Sequence, residues 1–83
     1  MLDETIAAPI RTYLSRSLQG HAVGDTDDIF ALGFVNSLFA IQLVAFIEGQ
    51  FGIEIDSDDL DLANFRSIDA IARLVVRKRA AAA

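Results

Sequence analysis

The run SLFAIQLVAFIEGQF, residues 37–51, limits the folds open to this chain more than any other stretch. Its apolar residues recur at helical spacing, yet they occupy nearly the whole circumference of the helix they imply. Such a helix needs cover on most sides, and one chain of 83 residues must supply it. A domain of that size buries roughly 60% of the surface its unfolded chain exposes. It can fold alone, but it cannot enclose a helix completely.

At about 100° per residue, Ala40, Leu43, Val44, Ile47 and Phe51 cluster on one face, the expected core face. Leu38, Ile41, Gln42, Ala45, Glu48 and Gly49 fall on the other side, and Phe39 and Phe46 on the rim between them. The outward apolar residues can form a docking surface, lie under another part of the chain, or mediate self-association.

The rest of the sequence reads as further helices. Ile6, Ile10, Tyr13, Leu14 and Leu18 keep helical spacing, which predicts a first helix from about Thr5 to Leu18. Pro9 lacks a backbone donor, so either the first turn is kinked or regular helix begins at Pro9. A long connection follows, QGHAVGDTDDIFALGFV. It carries Ile29, Phe30, Leu32 and Phe34, which must reach the core, and Asp27 or Asp28 suits the cap of a short turn. The second helix is expected from Asn36-Ser37 to Phe51, ended by Gly52. Asp56, with Asp59 three residues on, has the form of a capping box opening a short acidic helix. Ser67 is placed to cap a last helix whose Ile68, Ile71, Leu74 and Val75 share a face. Arg77, Lys78 and Arg79 suit that helix's C-terminal dipole, and the closing AAAA reads as a frayed tail. The expected fold is all-α: one domain over residues 1–83, a small bundle of three long helices and one short one, with a long loop between the first and second.

Composition narrows the function. With 53% hydrophobic and 23% charged residues the chain is globular in character. It has no cysteine, hence no disulfide, thiolate metal site or cysteine nucleophile. The net charge is −5, and between Ser17 and Phe65 there is no Lys or Arg. A stretch so acidic repels phosphate backbones, which argues against nucleic-acid binding, and attracts partners with basic surfaces. No signal peptide is recognisable, and the most apolar segment is far shorter than the ~20 residues that span a bilayer. A cytoplasmic monomer away from membranes is expected.

Catalytic chemistry is poorly represented. His21, the only histidine, sits in a loop with no nucleophile nearby in sequence. DTDD and DSDDLD resemble calcium loops faintly, but the ligand at position 5 would be Ile29 in one and Leu60 in the other. An enzyme is not expected. Ser37 remains. With Asn36 as cap it stands in the first turn of the apolar helix, where the dipole and unpaired N–H groups suit a phosphate ester. It is equally placed to be no more than a capping hydroxyl.

The run DDIFALGFVNSLFAIQLVAFIEGQFGIEI resembles the acyl carrier protein family, whose motif is Gly, one or two apolar residues, Asp, Ser and Leu ahead of a helix. Gly33, Ser37, Leu38, Leu43, Val44, Ile47, Glu48, Phe51, Ile53 and Ile55 fall on typical positions of that family, and NFRSIDAIARLV looks like the start of its last helix. The resemblance implies that Ser37 carries covalent 4′-phosphopantetheine, holding acyl groups as thioesters, and that the chain serves other enzymes. It also implies the partners: a phosphopantetheinyl transferase, acyl-loading and acyl-modifying enzymes, and a polyketide synthase or similar acceptor. The docking face would then comprise Leu38, Ile41, Gln42, Ala45 and Glu48. Asn36 replaces the usual Asp, keeping the cap and losing the charge through which the transferase is thought to engage. Gly33 and Asn36 are separated by two residues, where fatty-acid carriers usually have one. That spacing is similar to D-alanyl or aminoacyl carriers, and GFVNSLFAIQLV is most similar to discrete carriers of alkoxymalonyl-type polyketide extender units in antibiotic and other secondary-metabolite pathways. An unmodified helical adaptor that binds proteins through the same face is the alternative outside the carrier class.

Overall fold

A computed structural model describes residues 3–17, 23–31 and 37–82. Helix α1 spans Glu4–Ser17, α2 Ser37–Phe51, α3 Leu62–Phe65 and α4 Ile68–Ala82, with a 3-10 turn at Ser57–Asp59. No strand occurs among the described residues, and no helix there is long and apolar enough to cross a membrane.

Asp3 opens α1. Its Oδ1 accepts the Thr5 N–H at 2.9 Å and the Thr5 hydroxyl at 2.6 Å, and its carbonyl accepts from Ile6 and Ala7. Helix therefore precedes Pro9, which rules out the second of the two alternatives, that regular helix begins at Pro9. Proline removes only the bond that position 9 would have donated, one turn from an end already held by Asp3.

Ile6, Ala7, Ile10 and Leu14 of α1 are buried against Ile68, Ile71, Ala72, Leu74 and Val75 of α4 and Leu43 and Ile47 of α2. The loop between α1 and α2 is stitched to the start of α4. Ile29, fully buried, donates its N–H to the Arg66 carbonyl at 2.7 Å, and Asp69 donates to the Asp25 carbonyl at 2.8 Å. Asp28 accepts the N–H groups of Phe30 and Ala31, and Asp27 accepts that of Gly24. Both aspartates therefore close turns, as one of them was expected to do. Leu18, Leu32, Gly33 and Phe34 lie outside the described residues.

The phase of α2 differs from the expected one. Its buried row is Phe39, Leu43, Ile47 and Phe51, an i, i+4 ridge, while Ala40 and Val44 are only half-buried. Phe39 belongs to the core and not the rim. Its ring lies 6.5 Å from that of Tyr13 in α1, and Tyr13 also stacks on Phe46 at 4.1 Å. The buried row holds two of the helix's three phenylalanines, Phe39 and Phe51, whose rings bury large apolar areas, while Phe46 is half-buried.

Gly52 ends α2 as expected, at φ +64, donating to the Glu48 carbonyl at 3.0 Å. The acidic stretch beyond it is not one helix. The Asp56 N–H donates to Asp59 Oδ2 at 3.0 Å around the 3-10 turn, and α3 starts afresh with Asp61 accepting from Ala63. Ser67 caps α4 as expected, its Oγ accepting the Ala70 N–H at 3.1 Å. The terminal alanines continue α4 to Ala82, in keeping with alanine's helix propensity, so the frayed tail is corrected. Of the Arg77–Lys78–Arg79 triplet, Arg79 stands in the last turn of α4, where positive charge suits the dipole, and all three side chains also have partners. Arg77 donates to Asn64, Lys78 pairs with Asp56 and Asp59, and Arg79 lies 5.4 Å from the centre of the Phe51 ring.

Candidate functional site

Ser37 is the first residue of α2 and is exposed. No carboxylate occupies the first turn of that helix. The positive end of the dipole and the first-turn N–H groups therefore meet no competing anion from the turn itself. A phosphodiester attached there fits on both steric and electrostatic grounds. The helix beneath it is fixed, since Phe39, Leu43 and Ile47 anchor successive turns in the core. Asn36, the expected cap, lies outside the described residues, as does His21.

Leu38 and Ile41 retain 63% and 67% of their surface, the most exposed large hydrophobic side chains among the described residues, ahead of Leu60 and Val76. Gln42 and Ala45 are exposed beside them. Glu48 is half-buried, and its Oε2 accepts the Ile55 N–H at 2.9 Å, which ties the segment after α2 back onto the helix. Four of the five expected docking residues thus form an open face next to Ser37, and the fifth also has a structural partner.

A cleft of about 200 Å³ opens between α2 and α3, lined by Phe30, Ala40, Leu43, Val44, Leu60, Asp61 and Phe65. Ala40 stands one turn from Ser37. Among the described lining residues Asp61 is the only ionisable group, so the cleft suits an apolar group. Sequence reasoning missed Leu60 and Phe65 here. The available signal was Leu60 itself, an apolar residue set among Asp58, Asp59 and Asp61 with 58% of its surface exposed.

The family described as the phosphopantetheine attachment site matches residues 6–75. The chain belongs to that family. No curated protein matches it significantly. As a phosphopantetheine-binding domain it is a carrier and not a catalyst, it attaches 4′-phosphopantetheine covalently, and it carries acyl groups on that arm. Carrier domains of this family interact with phosphopantetheinyl transferases and with enzymes that handle acyl groups. The thiol that receives the acyl group belongs to the arm.

Proposed function

We propose that Ser37 is the attachment residue, and that residues 1–83 act as one discrete acyl carrier domain in polyketide or related secondary-metabolite biosynthesis. One observation carries the site: within a matched attachment-site domain, Ser37 is an exposed hydroxyl on the first residue of a long helix with no acid in its first turn. Asn36 completes the motif as a neutral cap. Leu38, Ile41, Gln42, Ala45 and Glu48 receive the transferase, the loading and modifying enzymes and the polyketide synthase. The resemblance of GFVNSLFAIQLV to extender-unit carriers supports the pathway, and the two-residue spacing between Gly33 and Asn36 supports a D-alanyl or aminoacyl carrier as the second reading.

The test is intact mass after incubation with coenzyme A and a broad-range phosphopantetheinyl transferase. The wild-type chain gains one phosphopantetheine, and Ser37→Ala gains none while staying folded. A modified Ser37→Ala chain would place the arm elsewhere. Competing the modified chain between malonyl-type and aminoacyl loading enzymes separates the two carrier readings.

A further inference from the structure

The chain has seven basic side chains, and six are arginine: Arg11, Arg16, Arg66, Arg73, Arg77 and Arg79. Lys78 is the only lysine. The difference is chemical. A guanidinium stays protonated in proteins and offers no nucleophilic lone pair, whereas a lysine amine that loses its proton becomes a nucleophile. A domain that carries acyl thioesters displays an electrophile open to attack by such an amine.

Lys78 is held between two carboxylates. Its Nζ lies 3.0 Å from Asp56 Oδ2 and 2.8 Å from Asp59 Oδ2, and only 20% of the side chain is exposed. Glu54, Asp56, Gly52, Ile53 and Ala81 line the same shallow groove, so the charges facing the amine from the opposite segment are all negative. Its basic neighbours on α4 point to other partners, Arg77 to Asn64 and Arg79 to the Phe51 ring. The hydrogen bond to Asp59, then that to Asp56, raises the Lys78 pKa above the ordinary lysine value.

We propose that the Asp56–Lys78–Asp59 cluster keeps the only lysine amine of this chain from consuming acyl thioesters, its own or those on neighbouring carriers. The reaction suppressed is aminolysis. The neutral amine nitrogen adds to the thioester carbonyl, the C–N bond forms, and the C–S bond breaks. The thiolate leaves with the electron pair, and the nitrogen loses a proton to solvent. With the proton held between two carboxylates, the lone pair that would attack is occupied. The proposal rests on the chain being an acyl carrier and is independent of which residue bears the arm.

An external thioester tests it without the arm. The unmodified chain is incubated with acetyl coenzyme A at mildly alkaline pH, with Nα-acetyl-lysine in the same tube as a reference amine. Peptide mass spectrometry then follows acetyl groups on Lys78 that hydroxylamine does not remove. Lys78 should react several-fold more slowly than the reference, the Asp56→Asn/Asp59→Asn chain should approach the reference rate, and Lys78→Arg should take up nothing at position 78. Wild-type Lys78 reacting at the reference rate overturns the proposal, and that comparison stands even if the double variant fails to fold. A folded double variant that stays as slow as wild type also overturns it, because burial against residues 52–54 and not the carboxylates would then be responsible. Failure of phosphopantetheine addition at Ser37 would appear separately in the intact-mass measurement.

Discussion

Ile41 and Leu43, two residues apart on α2, face opposite environments: Ile41 keeps 67% of its surface and Leu43 1%. The pair separates docking from packing. Ile41→Asp should change stability by no more than about 0.5 kcal/mol, the usual range for exposed sites. It should nonetheless impair acyl transfer, since a charge replaces an apolar anchor beside the attachment point. Leu43→Asp should unfold the bundle, because even truncating such a residue costs ~2–5 kcal/mol and an unpaired buried charge costs more. Thermal unfolding of both chains, with acyl transfer from a loading enzyme, is the measurement. Equal loss of stability in the two would make Ile41 a core residue.

The position of Phe39 gives a second test. It keeps 8% of its surface and meets the Tyr13 ring. Phe39→Ala should therefore cost about 3–5 kcal/mol in denaturant unfolding, the range for buried aromatic truncation. Gln42→Ala, one turn away on the open face, should cost far less. A Phe39→Ala cost near zero would restore the rim position that periodicity alone suggests.

Asn36 bears on the choice of transferase. Asn and Asp cap helices about equally well, so Asn36→Asp should leave the melting temperature unchanged. Transferases adapted to an Asp-Ser pair should modify it faster than wild type. Identical initial rates in a side-by-side assay would show that the missing charge plays no part in recognition.

The acid limb of the stability curve should depend on Lys78. Its hydrogen bond holds the Asp59 pKa below the ordinary carboxylate value. The ion pair therefore stabilises the fold fully above the unfolded aspartate pKa of about 3.9, and its contribution is lost as pH falls through the lower folded value. Within that window the unfolded chain has taken up the proton and the folded chain has not, and below it both have, so the contribution is gone. Lys78→Met should weaken the fold at neutral pH and reduce the loss between roughly pH 4 and lower pH. An unchanged acid slope in this variant would mean that other carboxylates, Asp3 with its Thr5 hydrogen bonds among them, govern that limb.

Much of the architecture is determined by neighbours in the sequence. The caps at Ser67 and Gly52, the Asp28 turn, the helical periods of α1 and α4 and the place of Ser37 at the head of α2 all depend on residues within about one turn of each other. These features are legible from the residues alone, and so was the open face at Leu38 and Ile41. The rotation of α2 is different. A helix apolar on nearly every side carries almost no directional signal, so its inward face depends on the helices it packs against: Phe39 is buried beside Tyr13 of α1, and Ala40 and Val44 line a cleft. The acidic segment was likewise settled at a distance. Lys78 meets Asp56 across 22 positions, and no local pattern announces a partner that only the packing of α4 brings within 3.0 Å. Local hydrogen bonds fix where helices begin and end, but which faces meet depends on surfaces assembled from distant parts of the chain.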